Sequence, residues 1–210
     1  MKSMSNPWLS ISLEDYEGHM CSPAVGQLTI LAELFKSVLG RYRPESVAVL
    51  GVAGGNGLDH IDCTVTKKTV GVDINRRYLD EAGQRFGTLA GLELHCCDLA
   101  GSSVNLAPVA LVHAALIFEH VGLGIALKNA LSLIAAGGRL SVVLQLPSTE
   151  EQSVASTSYT SMQALKHDFT LIDPGEFQSR LRPKGFELVE EQTRSLPGGK
   201  ALWLGVFGRR

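Results

Sequence analysis

The stretch VLGVAGGNG, residues 49–57, joins an apolar run to a turn that consists almost entirely of small residues. An apolar run without a polar side is typical of a strand that is buried on both faces of a parallel sheet. Glycines permit positive φ angles and remove the Cβ, so a ligand can approach the backbone amides where the strand ends and a helix begins. The same loop could also serve only as a tight turn between a strand and a helix.

On both sides of this loop, short apolar runs alternate with amphipathic stretches, which is the pattern of an α/β fold with a doubly wound parallel sheet. The runs predict strands over 46–52, 69–73, 92–96, 109–115 and 139–146. The amphipathic stretches predict helices over 25–39, over 75–86 with Asn75 as the N-cap, and over 122–136 with Gly137-Gly138 as the stop. The chain is then predicted to continue with a helix over 174–181 and a hairpin of strands 186–191 and 201–207.

Two acidic residues follow neighbouring strands of this predicted sheet. Asp73 ends the second strand, sixteen residues after Gly57, and Asp98 follows the third strand. A carboxylate at the first position can accept hydrogen bonds from two ribose hydroxyls, and one at the second can accept a hydrogen bond from an adenine amino group. Each acid alone could be a helix cap. Together with the glycine loop, they predict a nucleoside site along one edge of the sheet.

The composition limits the classes of function. The 210 residues include 19 basic and 21 acidic side chains, a formal charge of -2, so no broad positive field favours nucleic acid. The four cysteines show no C-x-x-C spacing, which predicts reduced thiols and a cytoplasmic location. The start of the chain lacks the apolar core of a secretory signal, and the apolar stretch 107–127 carries His113, Glu119 and His120, so no membrane association is expected. The spacing of potential ligands predicts no metal site.

These features carry a resemblance to a known family. The loop 51–57, Asp73, Asp98, the segment 115–121 and the run 130–143 together resemble the class I S-adenosylmethionine-dependent methyltransferases of the small-molecule type. The resemblance implies a Rossmann-like sheet of seven mostly parallel strands with an antiparallel C-terminal strand. It also implies S-adenosylmethionine as cofactor, S-adenosylhomocysteine as product and a small molecule as methyl acceptor.

The resemblance assigns cofactor contacts to the glycine loop and to the ends of the second, third and fourth strands. The assigned residues are Gly51, Val52, Ala53, Gly55, Asn56, Gly57, Asp73, Ile74, Asp98, Leu99 and Ala115. Gly51 stands where the family usually has an acid, and Ala53 replaces the first glycine of the loop. The change to Ala53 is the milder one, and the loop tolerates it if its φ is negative. Adenosine recognition is therefore expected to be intact, whereas the methionine part of the cofactor would lose one contact.

Methyl transfer by direct displacement needs no metal and no covalent intermediate, but a hydroxyl or an ammonium acceptor must lose a proton to a base. The candidate bases are His120, Glu119, Tyr16 and His19. His120 is preferred, because it follows the fourth strand and because imidazole titrates near neutral pH. Glu119 and His120 could instead be a helix cap and a packed histidine. His60 is expected on the first crossover helix.

The remaining segments are expected to close the site over a small molecule. An irregular N-terminal arm over 8–23 and a lid at 147–169 would cover the cleft, although the arm could also be a docked tail and 147–169 a loop. The chain is predicted to form one domain, divided into an arm and helix (1–45), a cofactor-binding core (46–146), a lid insertion (147–170) and a C-terminal helix and hairpin (171–210). The alternative is a decayed domain that binds a nucleoside or another protein. A nicotinamide oxidoreductase is disfavoured, because His60 stands where that motif needs a small residue.

Overall fold

A seven-stranded sheet forms the centre of the computed structural model, which describes residues 6–101, 103–148 and 154–209. Its strands are β1 (Ser46–Leu50), β2 (Lys68–Asp73), β3 (Leu92–Cys96), β4 (Val109–Ala115), β5 (Ile134–Gln145), β6 (Phe186–Ser195) and β7 (Ala201–Arg209). The strand order is β3-β2-β1-β4-β5-β7-β6. Strands β1 to β5 pair in parallel, and β7 lies antiparallel between β5 and β6. The predicted fold class is confirmed.

Helices cover both faces of this sheet. They are α1 (Leu13–Cys21), α2 (Gln27–Tyr42), α3 (Arg76–Phe86), α4 (Phe118–Val121), α5 (Ile125–Ser132) and α6 (Pro174–Leu181). Side chains alternate between the two faces along each strand, so Val47 and Val49 of β1 pack against α2, whereas Ala48 and Leu50 belong to the core beneath α5 and α6. The helix at Pro174–Leu181 and the N-cap at Asn75, whose side chain accepts a hydrogen bond from the Arg77 amide, confirm two predictions.

The crossover from β1 to β2 contains no α-helix, contrary to the prediction for His60. Residues 51–67, all of them described, hold only the 3-10 turn Leu58–His60. The face of β1 that a crossover helix would cover is already occupied by Leu34, Phe35 and Val38 of α2. The crossover therefore has no sheet surface left to bury, and an amphipathic helix would gain little there.

The helix predicted over 122–136 is wrong in both of its bounds. The short helix α4 ends at Val121, before this range, and α5 occupies only Ile125–Ser132 within it. Strand β5 begins at Ile134, which pairs with Val109, whereas Arg139 pairs with Leu111. Residues 135–138 therefore bulge from the ladder, with Gly137 at a φ of +72°. The two glycines mark a bulge inside the strand rather than the stop of the helix.

The N-terminal arm is not irregular, because it contains the 3-10 turn Pro7–Leu9 and the helix α1. Ser12 caps α1, and its hydroxyl accepts a hydrogen bond from the Asp15 amide at 3.0 Å. The predicted lid contains the 3-10 helix Thr160–His167. Residues 1–5 of the predicted N-terminal region and 149–153 of the predicted lid lie outside the described residues.

Several other bounds differ from the predictions by a few residues. β1 ends at Leu50 because Gly51 has a φ of +70°, which leaves the extended conformation. The leading helix runs over Gln27–Tyr42 instead of 25–39, and both strands of the closing hairpin are longer than predicted. All four cysteines are free. Within the described ranges, no helix has the length and hydrophobicity that crossing a bilayer requires.

Candidate functional site

A cavity opens at the carboxyl edge of the parallel strands. Ten of the predicted site residues line its wall: Tyr16, His19, Gly51, Ala53, Asp73, Ile74, Asp98, Leu99, Ala115 and His120. The wall also includes the N-terminal segment, residues 6–26, and the lid segment, residues 154–169. We call the part formed by Gly51, Ala53, Asp73 and Asp98 the acidic end, and the part formed by His19, His120, Gln145 and Lys200 the basic end. Fold positions that are distant in sequence thus share one hollow.

Asp73 is the centre of the acidic end. Its Oδ2 accepts a hydrogen bond from the Ala53 amide at 2.9 Å, and its Oδ1 accepts one from the Asn75 amide at 2.8 Å. Burial raises the pKa of this carboxyl, and the backbone hydrogen bonds partly offset that effect. A carboxylate has about four acceptor sites, so two remain for hydroxyl groups of a ligand. The backbone therefore fixes the orientation of the carboxylate and leaves it able to bind.

The first half of the glycine loop wraps around Asp73. The amides of Gly51 and Val52 both donate to the Val72 carbonyl, which brings the loop over the end of β2. Ala53 has a φ of +46°, so the condition of a negative φ is not met. The hydrogen bond from Ala53 to Asp73 accompanies this left-handed conformation, which an alanine adopts at a cost of about 1 kcal/mol.

The second half of the loop faces the helices rather than the cavity. The side-chain amide of Asn56 donates to the Leu28 carbonyl of α2 at 2.9 Å. A Cβ on Gly57 would lie 3.1 Å from the Phe35 ring, and one on Gly55 would lie 2.5 Å from the Phe86 ring. Val52, Gly55, Asn56 and Gly57 do not belong to the cavity wall. Their assigned role as direct cofactor contacts remains a prediction, and their visible role is to pack the loop.

Asp98 lies at the far side of the acidic end, after β3. Its Oδ1 accepts a hydrogen bond from the Ala100 amide at 2.8 Å, which closes a turn, and the residue is exposed where it lines the cavity. Leu99 is buried beside it and Cys97 also lines the wall. The two acids thus flank one hollow from the ends of adjacent parallel strands.

His120 is held by aromatic rings at the basic end. The ring of Trp8 lies edge-on at 4.9 Å, and the ring of Phe169 lies edge-on at 5.0 Å. Its Nδ1 is buried and makes no hydrogen bond with the described residues. Burial lowers the pKa of His120 to about 4, so the imidazole is neutral at pH 7. The neutral imidazole has a free lone pair for a proton, but this pKa lies well below the near-neutral value for which His120 was preferred.

Glu119 does not line the cavity. The residue is 1% exposed, and its Oε1 accepts a hydrogen bond from the Gln145 amide at 2.9 Å. Its Oε2 has no partner among the described residues. Burial raises the pKa of Glu119 to about 7. The Glu119 carbonyl also accepts a hydrogen bond from the Thr170 amide, so this residue connects α4, the end of β5 and the chain that leaves the lid segment.

The two candidates from the N-terminal segment differ in their chemistry. Tyr16 stacks on Tyr78 with ring centroids 6.2 Å apart, and burial, reinforced by the charge of Asp73, raises the pKa of its hydroxyl. Tyr16 therefore keeps its proton and acts as a hydrogen-bond donor rather than a base. Burial and then the charge of Lys200 lower the pKa of His19, whose Nδ1 lies 2.9 Å from the Thr157 Oγ1.

Sequence reasoning missed several residues of the cavity wall. They are Trp8, Gln27, Gln145, Met162, Leu165, Phe169 and Lys200. Gln27 donates from Nε2 to the Oε1 of Gln145 at 3.1 Å, and both side chains are buried. The position of Gln145, at the carboxyl end of a predicted parallel strand, was a signal for this edge. Lys200 had none, because it precedes an antiparallel strand of the closing hairpin.

Helix α3 holds the N-terminal segment over the cavity. The side-chain amide of Asn75 donates to the Trp8 carbonyl at 2.8 Å, and the Tyr78 hydroxyl donates to the Ile11 carbonyl at 3.1 Å. The guanidinium of Arg85 pairs with the carboxylate of Glu17 on α1. The cavity is thus bordered by a docked segment with specific hydrogen bonds.

Metal ligation has no support in the part of the chain that the structure describes. No group of three or more His, Cys, Asp or Glu side chains lies close enough together there to hold an ion.

Comparison with known proteins gives similarity at the level of the fold. No protein-family model and no curated protein matches the sequence. Magnesium protoporphyrin IX methyltransferase (ChlM) from Synechocystis PCC 6803, solved with bound S-adenosylmethionine, aligns over 100% of both chains with a TM-score of 0.71 and 12% identity. The N-methyltransferase NodS from Bradyrhizobium japonicum WM9, in complex with S-adenosylhomocysteine, aligns over 99% of this chain and 93% of its own, with a TM-score of 0.62 and 15% identity.

The [4+2]-cyclase SpnF has the same architecture, with a TM-score of 0.62, 10% identity and coverage of 83% and 80% of the two chains. The chain therefore has the class I methyltransferase fold. Because a cyclase shares this fold, the architecture alone does not define the reaction.

Proposed function

We propose that this protein is an S-adenosylmethionine-dependent methyltransferase that acts on a small molecule by direct displacement. The observation that carries the proposal is the position of Asp73 and Asp98 in one cavity wall with Gly51 and Ala53, at the carboxyl edge of the parallel strands. Ligands of open α/β sheets bind at this edge. ChlM and NodS, which share the fold, were solved with S-adenosylmethionine or S-adenosylhomocysteine bound.

The residues of the acidic end fit an adenosine group. The remaining acceptor sites of Asp73 would bind the two ribose hydroxyls, and Asp98 would accept a hydrogen bond from the adenine amino group. Ile74, Leu99 and Ala115 would provide apolar contacts from the same wall. Tyr16 would donate a hydrogen bond near the ribose, since its hydroxyl is close enough to Asp73 for that carboxylate to raise its pKa.

The absence of an acid at position 51 has a structural reason in this chain. A Cβ on Gly51 would lie 2.6 Å from the Cδ1 of Ile117, and the φ of +70° disfavours any side chain. Binding of the methionine part would then depend on backbone groups of the loop and of Leu116, which also lines the cavity. S-adenosylmethionine supplies an electrophilic methyl group on a sulfonium.

The residues around the basic end would orient the acceptor and remove its proton. The aromatic rings of Trp8 and Phe169 lie against His120 and would limit its contact with water, which favours a reaction between two aligned groups. The neutral imidazole of His120 would take the proton of a hydroxyl or an ammonium group. Glu119 would be a positioning residue and not the base, because its carboxyl lies behind the cavity wall. It accepts a hydrogen bond from the Gln145 amide and so holds the end of β5.

Isothermal titration with S-adenosylmethionine and S-adenosylhomocysteine tests the proposal. We expect both to bind the wild-type protein. Asp73→Ala should weaken the binding of S-adenosylhomocysteine by about 100-fold, since it removes the acceptor of two charge-assisted hydrogen bonds. The variant is expected to remain folded in thermal unfolding, because Asp73 ends its strand and lines the cavity rather than the apolar core.

Asp59→Asn is the matched control, because the carboxylate of Asp59 is 63% exposed and lies outside the cavity wall. It should leave the affinity unchanged. Equal affinity of wild-type protein and Asp73→Ala would remove the ribose contact from the proposal. Binding of both ligands without methyl transfer to any acceptor in a broad small-molecule screen would favour a nucleoside-binding module instead of an enzyme.

A further inference from the structure

The two ends of the cavity differ in charge and lie on different strands. The acidic end has Asp73 at the end of β2 and Asp98 after β3, whereas the basic end has His120 after β4, Gln145 at the end of β5 and Lys200 before β7. In the strand order, β7 is four positions from β2. Strands of one sheet are about 4.8 Å apart, so the ends of β2 and β7 are separated by roughly 19 Å. The acidic end and Lys200 thus belong to strands that are not neighbours in the sheet.

Lys200 is a charged side chain with unusual burial. Its relative exposure is 6%, and it lines the cavity. Its charge contributes to the lowered pKa of His19, which places the ammonium close to that imidazole. A buried ammonium needs oxygen acceptors around it. An anionic group of a ligand in this cavity would be a further partner for it.

The surroundings of Lys200 combine two kinds of side chain. The buried amide pair of Gln27 and Gln145 offers neutral hydrogen-bonding groups. The cavity wall also holds apolar side chains, among them Met20, Val25, Val154, Met162, Leu165 and Phe169. Apolar walls with a few convergent polar groups are typical of sites that orient a small organic ligand.

We propose that the methyl acceptor is a small molecule with an apolar body and an anionic group, in which the anionic group binds Lys200 and the apolar body lies against the lid segment. That the bound molecule is a methyl acceptor rests on the proposed function. That an anionic group binds Lys200 does not depend on it. The group that receives the methyl lies on the side of the acceptor that faces His120. The positive charge of a sulfonium donor favours an anionic neighbour in the same cavity.

A pair of probes that differ in charge tests the proposal. The protein, saturated with S-adenosylhomocysteine, is titrated with 3-phenylpropionate and with its neutral isostere 3-phenylpropionamide. We expect the carboxylate to bind at least about 10-fold more tightly, as a charge-assisted hydrogen bond to a buried ammonium would give. Lys200→Met should abolish this preference, and Lys200→Arg should retain part of it.

The control is Lys36→Met, in which an exposed lysine on α2 outside the cavity is changed. It should leave the preference unchanged. The proposal is overturned if the amide binds as tightly as the carboxylate, if Lys200→Met keeps the preference, or if neither probe binds at millimolar concentration. If Lys200→Met does not fold, the probe ratio in the wild-type protein and in Lys200→Arg decides the question.

A prior titration with S-adenosylhomocysteine alone separates this proposal from the proposed function. Failure of the cofactor product to bind the wild-type protein would refute the proposed function. The probe pair is then used on the protein without cofactor, where a carboxylate preference that depends on Lys200 still supports the anion site. Binding of S-adenosylhomocysteine without a carboxylate preference refutes only the inference about the acceptor.

Discussion

The acidic end and the basic end of the cavity are built in different ways. At the acidic end, Asp73 is oriented by two backbone amides, and Asp98 accepts from a backbone amide two residues further along the chain. At the basic end, His120 is positioned by the side chains of Trp8 and Phe169, which are more than 100 residues apart in sequence. The backbone amides that orient Asp73 and Asp98 are present whatever the neighbouring side chains are, whereas a contact between three distant rings depends on all three.

This difference predicts a division of labour between the two ends. Changes at the acidic end should alter cofactor affinity, because the ligand contacts there are fixed by the sheet. Changes at the basic end should alter the acceptor step, because the residues there come from segments that cover the sheet. The first of the three experiments below tests this division directly, and the other two test how the residues behind the basic end and in the acidic end are packed; they follow in order of the expected effect.

The largest effect is expected for His120→Ala. Loss of a general base reduces turnover by about 100-fold or more, whereas the affinity for S-adenosylhomocysteine should change far less. The measurement is the rate of methyl transfer to the first acceptor that the wild-type protein is found to use, together with a titration of the cofactor product. His95→Ala, at a partly exposed position on β3 outside the cavity wall, is the control. An unchanged rate would return His120 to a packing role.

The second experiment concerns Glu119, which lies behind the cavity wall. Its pKa in the folded protein is raised from 4.5 to about 7, so folding favours the protonated form. The resulting stability is fully present below pH 4.5 and is lost as the pH rises through about 7. Glu119→Gln cannot ionise, so it should gain stability relative to the wild-type protein over this interval, by about 3 kcal/mol at pH 8.

Urea unfolding of the wild-type protein and of Glu119→Gln at pH 5 and pH 8 measures this effect. The histidines titrate in both proteins, so their contribution cancels in the difference between the two free energies of unfolding. Glu45→Gln, at an exposed glutamate before β1, should show no such trend. A constant difference between Glu119→Gln and wild type at the two pH values would show that Glu119 is ionised in the folded protein.

The smallest effect is expected for Gly51→Ala at the acidic end. Its left-handed φ and the 2.6 Å approach of a Cβ to the Cδ1 of Ile117 should lower the free energy of unfolding by about 2 kcal/mol. Gly40→Ala is the matched control, because Gly40 lies in α2, lacks a positive φ and has open space where the added methyl group would point. That change should stabilise the helix by about 0.5 to 1 kcal/mol. Equal effects of the two changes in urea unfolding would contradict the strain at Gly51.

The acidic end could be predicted because its parts follow one another in the chain. A glycine loop after the first strand, an acid at the end of the second and an acid after the third are local patterns, and parallel strands bring their carboxyl ends to the same edge. The side chains of Asp73 and Asp98 consequently line one wall, as the strand pattern predicted. The helix α6 and the N-cap at Asn75 were predictable for the same reason, since a cap and its helix are neighbours in sequence.

Two local signals were present but were interpreted incorrectly. Ser12 followed by Asp15 is a capping pattern, and it begins a helix in the segment that was predicted to be irregular. Gly137-Gly138 is a break, but it breaks the ladder of β5 and not the preceding helix. In both cases the sequence shows the residue that caps or interrupts an element. Which element it belongs to depends on packing against a strand or helix that is distant in the chain.

The sequence by itself determined the strands of the sheet and the acids at one of its edges, because hydrophobic periodicity and strand direction are properties of short, continuous segments. The tertiary structure alone decided that α2 takes the place of a crossover helix, that Trp8 and Phe169 enclose His120, and that Lys200 enters the cavity. Such contacts join residues that are far apart in the chain. They are selected by which surfaces remain to be buried once the sheet has formed, and no single segment carries that information.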